Sequence, residues 1–276
     1  MPTSYDLNIE GHKLVALGFN ENKGGTPVVF IHGLFSSVNF WTNWQTPYVN
    51  EHLCWYSLSL PGHYPALYPT GFRRENLTVE MLTRVISSAI QQLVAEQPVI
   101  LVGYSIGATI ALNIAATLPQ MTTASASISG FAFGEWVTVA HLAEWLVEEG
   151  GGRTTLIQTE MERILEFLVG IHELPRNIWP DIADLNFAAM MHYLDLIADI
   201  DIRANLPQIN APTLIIAGER DVIVLPDHAA FIAAQIPHSK LMMLPNASHL
   251  PMGENPPAYH AAVSEWLQSL DNPTDV

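Results

Sequence analysis

Cysteine is almost absent, with Cys54 the only one in 276 residues. A lone thiol excludes an intramolecular disulfide and fits a reducing, cytoplasmic setting. Set in an apolar run, it reads as a small buried hydrophobe. Positive charge is scarce too. Eleven Lys and Arg face 27 Asp and Glu, a formal charge of −16. That balance argues against nucleic acid or an anionic membrane as partner. No uninterrupted apolar run reaches the ~18 residues of a membrane span, and Met1 to Glu10 carry no basic-plus-apolar signal pattern. The histidines are scattered, without a His-Glu-x-x-His pair or a Cys cluster, so no metal is expected. Gly150 to Gly152 lie between helical segments and lack the preceding strand that a nucleotide fingerprint needs, so no cofactor is expected either. Internal repeats and low-complexity tracts are missing.

What is present is apolar and well patterned. Hydrophobic residues make up 49% and charged residues 14%, the balance of a soluble globular chain. The length allows a full α/β core plus an insertion. The pattern centres on Pro98 to Gly107. A β-branched, apolar run ends in Gly103-Tyr104-Ser105-Ile106-Gly107, and an apolar helical pattern follows at once, to Leu118. Strand, tight turn and helix in that order are the context of a nucleophile elbow. Such a turn lifts the Ser105 hydroxyl beyond the sheet edge, and the helix aims its positive dipole end at the same spot.

Along the chain, Tyr5–Ile9 and Lys13–Phe19 predict an opening hairpin turned at Gly11. Val28–Ile31 predicts a strand buried on both faces. Ser36 or Ser37 is placed to cap a short helix through Trp41 and Trp44. Leu53–Leu60 predicts a strand, Thr78–Glu96 an amphipathic helix and Ala124–Ser129 a strand. Beyond residue 130 the rhythm changes. Glu135–Glu149, Thr155–Ile171 and Asn186–Ala198 predict helices with no strand between them. Alternation resumes with a strand at Pro212–Gly218, a helix at Asp227–Gln235, a strand at Lys240–Leu244 and a helix at Pro257–Leu270. The expected architecture is α/β: a mostly parallel central sheet flanked by helices, with an inserted helical lid. Residues 1–130 and 207–276 would form the core domain, and 131–206 the lid. In such a sheet the site lies beyond the carboxyl ends of the strands.

A serine hydroxyl is a poor nucleophile without a base to take its proton and an acid to orient that base. Past the elbow, Asp221 follows one strand and His249 follows the next. Glu219 could replace Asp221, and His228, His238 and His260 compete with His249. None of these three follows a strand, however, and each reads as a packing or surface residue. His32 reads as structural, beneath the turn after the strand at 28–31, and Glu254 as a brace for the His249 loop.

His32-Gly33, Pro61-Gly62-His63, Gly103 to Gly107, Gly218 to Pro226 and His249 to Pro256 together resemble the α/β-hydrolase superfamily, over nearly the whole chain. The resemblance implies Ser105 as nucleophile, Asp221 as orienting acid and His249 as base. The backbone N–H groups of Leu34 and Ile106 would form the oxyanion hole. Where some relatives take their acid from the strand before the lid, this chain has Ser129 to Ala132, with no carboxylate, which favours Asp221. Ser59-Leu60 stands where relatives often carry an Asp before Pro-Gly-His. Gly107 is followed by Ala108-Thr109-Ile110, without the basic residue of relatives that make the menaquinone precursor.

Phe35, Tyr104, Phe131, Trp136, Phe187 and Met191 are candidates for an apolar substrate pocket. The leading expectation is a serine hydrolase that cleaves a small or medium apolar carboxylic ester through an acyl-enzyme, acting as monomer or homodimer. Carbon–carbon bond hydrolysis or a related lyase reaction on the same triad is the alternative enzyme. A small-ligand receptor that retains the triad is the alternative of another class.

Overall fold

The computed structural model describes residues 2–95, 97–137 and 186–271. Its frame is an eight-stranded sheet in the order β1-β2-β4-β3-β5-β6-β7-β8. The strands are β1 Thr3–Ile9, β2 His12–Phe19, β3 Val28–Ile31, β4 Trp55–Leu58, β5 Val99–Tyr104, β6 Thr122–Ile128, β7 Thr213–Gly218 and β8 Ser239–Leu244. β1 and β2 form the expected hairpin, and β2 pairs antiparallel with β4. From β4 to β8 every pair is parallel.

The chain runs from β3 outward to β4, then crosses back to β5 on the other side of β3. β3 and β5 therefore lie side by side where the winding reverses, with Val28 paired to Ile100 and Ile31 to Gly103. Loops that leave two such neighbours part in opposite directions and open a crevice between them. The turn at His32–Phe35 and the elbow at Ser105 leave these two strands.

β3, β4 and β5 are buried on both faces, as the apolar runs of β3 and β5 lead one to expect, and the Ser57 hydroxyl within β4 donates to the Val38 carbonyl at 2.6 Å. One face packs on α3 Val79–Val94, α4 Ile106–Thr117 and, after β7, α6 Pro226–Gln235; Leu82, Ile86, Ile110 and Ile232 are fully buried there. The other face carries α1 Phe40–Trp44, α2 Pro47–His52 and the closing α8 Pro256–Asp271, with Trp41, Val49, Tyr259 and Trp266 in its core. Phe19 stacks on Trp55 at 3.9 Å along this second face. α5 Phe187–Asp199 lies in the stretch between β6 and β7, and a short α7 Pro251–Glu254 follows the His249 loop.

Local details differ from expectation for identifiable reasons. α1 starts at Phe40, and Asn39, without a side-chain cap bond, precedes it. The Ser37 hydroxyl instead accepts from the Asn39 N–H at 3.0 Å, a local turn that competes with capping. β4 is shorter than Leu53–Leu60, because the Leu53 N–H closes α2 on Val49 and the Val15 N–H donates to the Ser59 hydroxyl at 2.9 Å instead of continuing the backbone ladder. Of the helix expected at Glu135–Glu149, the described residues reach only Val137 and include a single 3-10 turn, Gly134–Trp136; the rest of that expectation lies outside them. The one at Thr155–Ile171 lies wholly outside them.

The two stems of the segment between β6 and β7 clasp each other. Gly134 N–H donates to the Ile200 carbonyl at 3.0 Å and Ile202 N–H to the Ala132 carbonyl at 2.8 Å. The outgoing stem also bridges Val137 to Val224, just beyond Asp221.

Candidate active site

Ser105 sits between β5 and α4 with φ 53° and ψ −123°, a backbone conformation that L residues avoid. The turn is held because its N–H donates to the Ile128 carbonyl at 2.9 Å and Ala108 and Thr109 return to its own carbonyl. The two elbow glycines explain how tightly it closes. A Cβ on Gly103 would stand 2.3 Å from the Gly107 carbonyl oxygen, and one on Gly107 would stand 2.4 Å from the carbonyl oxygen of His32. Both obstacles are backbone, which cannot rotate away. Gly107→Ala should therefore cost at least the upper end of the ~1–3 kcal/mol usual for overpacking, a Tm loss of roughly 6 °C or more. Gly24→Ala, which meets nothing within 4 Å, is the control expected to leave Tm unchanged. Equal melting of the two variants would show that the elbow has room for a methyl group at residue 107.

The structure brings Ser105, His249 and Asp221 into one hydrogen-bonded chain. His249 Nε2 lies 3.1 Å from Ser105 Oγ and Nδ1 2.8 Å from Asp221 Oδ2. A carboxylate only accepts, so Nδ1 carries the proton and Nε2 presents its lone pair to the hydroxyl. Asp221 is 2% exposed. Its other oxygen, Oδ1, accepts from the N–H groups of Ile223 at 2.9 Å and Val224 at 3.0 Å. Glu219, two residues earlier, is exposed. The two loops are sewn together, Glu219 N–H to the Leu244 carbonyl and Arg220 N–H to that of Ala247. Glu254 accepts from the Ser248 N–H at 2.5 Å and so braces the His249 loop. Of the competing histidines, His228 is fully buried and packs against Phe133 at 4.5 Å, and His260 lies on α8.

The turn after β3 approaches Ser105 closely. A Cβ on Gly33 would lie 3.2 Å from that of Ser105 and 2.8 Å from the Tyr104 ring. Leu34 follows directly, and Phe35 takes a left-handed φ of 57°. Ile106 is the first residue of α4, where the N–H groups have no partner within the helix. His32 is fully buried beneath this turn. Its Nδ1 lies 2.8 Å from the Gly33 carbonyl oxygen, and its Nε2 accepts from the Leu60 N–H at 3.0 Å.

Burial holds the His32 imidazole down at about 4, against 6.5 for the free group, and burial with His32 as neighbour holds His63 well below 6.5. The unfolded chain thus binds more protons than the folded one between pH 6.5 and 4, and stability falls as pH falls through that window. His32 alone should remove about 3 kcal/mol between pH 7 and 4, with no change above pH 7. Urea unfolding at pH 7.5, 6 and 5 measures this. A stability flat across that interval would mean that the folded chain takes up its protons there as readily as the unfolded one.

The expected pocket residues divide. Phe35 is half-buried on the turn beside Ser105, and Met191 is half-buried on α5. Tyr104 is buried, stacked on Phe40 at 5.0 Å with the His249 ring 5.4 Å away. Burial keeps its phenol neutral, and the Asp221 and Glu254 carboxylates reinforce that. Phe131 is buried in the core, its carbonyl accepting from the Thr109 hydroxyl at 2.6 Å. The side chains of Trp136 and Phe187 lie outside the described residues. Among the described residues no group of three or more His, Cys, Asp or Glu could hold a metal ion, and no helix is long and apolar enough to cross a membrane.

A parallel sheet with a strained serine at the switch of its winding, and a histidine and a carboxylate from the last two strand ends, defines an α/β hydrolase. The chain belongs to the alpha/beta hydrolase family, whose sequence profile matches residues 28–262. It is similar to the pimeloyl-[acyl-carrier protein] methyl ester esterase of Nitrosospira multiformis, 25% identical over 264 residues that cover 88% of this chain and 95% of that one. The protein of the same name from Stenotrophomonas maltophilia is 29% identical over 230 residues, 79% of this chain and 83% of that one. In fold it is similar to the enol-lactonase of Burkholderia xenovorans, with a TM-score of 0.74, 19% identity and coverage of 96% and 100%.

Proposed function

We propose that the protein hydrolyses carboxylic esters of small or medium apolar acids through an acyl-enzyme on Ser105. The observation that carries this reading is the continuous chain from Ser105 Oγ through the His249 ring to buried Asp221. Ser105 Oγ attacks the acyl carbon as its proton passes to His249 Nε2. The N–H groups of Leu34 and Ile106 receive the tetrahedral oxyanion. Collapse expels the alcohol, which takes the proton back from His249. Water then repeats the sequence on the acyl-enzyme and frees the acid and Ser105. The esterase names of the sequence relatives support this class, and the methyl ester in those names makes a small alcohol the leaving group to try first.

The acyl side is tested by a series of p-nitrophenyl esters. Each buried methylene contributes about 0.8 kcal/mol, close to fourfold in kcat/KM. The expected result is a rise from acetyl to butyryl to hexanoyl and a fall once the chain outgrows the pocket. Activity greatest on acetate and declining steadily would remove the apolar acyl pocket from the reading.

A further inference from the structure

The peptide between Gly33 and Leu34 has two ends, and in the esterase reading only the N–H end serves the reaction. Its N–H belongs to Leu34, the oxyanion donor in the reading above. Its carbonyl belongs to Gly33 and lies 2.8 Å from His32 Nδ1. The Leu60 N–H, 3.0 Å from Nε2, can only donate. Nε2 therefore holds the lone pair, and Nδ1 carries the proton and donates it to Gly33. Turning the peptide over would break that bond at a fully buried ring. A hydrogen bond at the carbonyl end also polarises the N–H end of the same peptide.

The segment that supplies Leu60 is held in its turn from across the molecule. The carbonyl of Pro61 accepts from the Tyr193 hydroxyl at 3.1 Å, a contact between residues 132 positions apart. His63 stands between the two, with its ring 5.1 Å from that of His32 and 4.6 Å, edge to face, from that of Tyr193. His32, Leu60, His63 and Tyr193 are all fully buried. Tyr193 belongs to α5, in the stretch between β6 and β7, whereas everything else in the set belongs to the loops after β3 and β4.

Resting on the esterase reading, we propose that Tyr193 is a positioning residue for the oxyanion hole: through Pro61, Leu60 and His32 its hydroxyl fixes the orientation of the Gly33–Leu34 peptide. Helix α5, from the stretch between β6 and β7, thereby acts on the chemistry. Helix α5 reaches the same loop a second way, through the ion pair of Arg74 with Asp195 at 2.5 Å. That contact is half exposed and does not touch His32, so it serves as a control for general loosening of the helix.

Tyr193→Phe keeps the ring against His63 and removes only the hydroxyl. With p-nitrophenyl butyrate, kcat should fall on the order of tenfold, a fraction of the 10²–10³ for outright loss of an oxyanion donor, while KM stays within twofold. The inhibition constant of butylboronic acid, which forms a tetrahedral adduct on the serine, should rise by the same factor. Arg74→Gln should leave both at wild-type values. Tyr193→Phe with unchanged kcat and boronate affinity would overturn the proposal, and so would an equal loss in Arg74→Gln. Fluorophosphonate labelling separates the two layers. If Ser105 is labelled in wild type while Tyr193→Phe behaves as wild type, only the positioning role falls. If wild-type Ser105 takes no label, the esterase reading falls and the positioning role with it.

Discussion

Ser105→Ala should lower the turnover of p-nitrophenyl butyrate on the order of 10⁶-fold, the loss seen when the nucleophile of a serine triad is removed alone. The expectation follows from the geometry around one oxygen. Oγ of residue 105 lies 3.1 Å from His249 Nε2 and carries the proton that the ring must take. Without it, His249 and Asp221 remain hydrogen-bonded to each other with nothing to deprotonate. The variant should fold, because the strained backbone at residue 105 is held by main-chain bonds to Ile128, Ala108 and Thr109 that an alanine keeps. What survives should be the modest catalysis of a binding site with oxyanion donors, about 10³–10⁴ over water. Mass spectrometry after fluorophosphonate treatment should find the adduct on Ser105 in wild type and on no residue in the variant. An adduct elsewhere, or an alanine variant with more than a few per cent of wild-type activity, would end the reading. Ester turnover by wild type that vanishes in the variant would also set aside a ligand-binding receptor that merely retains the triad.

Much of this candidate site was legible in the sequence. The elbow could be read because three independent signals coincide there: an apolar run, two glycines bracketing a serine, and an apolar helical repeat. Asp221 and His249 were legible because each follows a short apolar run that reads as a strand, the buried β7 and the half-buried edge strand β8. The pocket was not legible in the same way. Tyr104 is next to the nucleophile in sequence, yet side chains alternate across a strand. Ile100, Val102 and Tyr104 therefore share the face that packs on α1 and α8, while Val99 and Leu101 share the other. That alternation was present in the sequence and could have placed Tyr104 inside. Phe131 gave no such signal, because it lies in a stem whose direction is set by hydrogen bonds to the Ile200–Ile202 segment, some seventy residues later. The contact of Tyr193 with Pro61 was beyond reach for the same reason. An apolar helical repeat predicts a buried face, but not which loop that face meets.

Asp221→Asn should keep the fold and lower kcat on the order of 10⁴-fold, and the reason can be traced atom by atom. Oδ1 accepts two backbone N–H groups, from Ile223 and Val224. An asparagine at this position must therefore keep its carbonyl oxygen there, because its amino group cannot accept. The amino group is then forced into the place of Oδ2, 2.8 Å from His249 Nδ1. Being a donor, it requires Nδ1 to be the acceptor, so the proton of the neutral ring moves to Nε2. His249 would then point an N–H at Ser105 and could not take its proton. The loss should fall on kcat, since the altered atoms lie behind the imidazole, away from the substrate. Raising the pH cannot recover it, because the fault is the position of a proton on the neutral ring rather than its net charge. Glu219→Gln, on an exposed side chain that precedes the same loop, should remain near wild type. Steady-state kinetics on the two variants from pH 6 to 9 decide the matter. A crippled Glu219→Gln beside an active Asp221→Asn would transfer the orienting role to Glu219. Full recovery of Asp221→Asn at pH 9 would show that the asparagine had not locked the wrong tautomer.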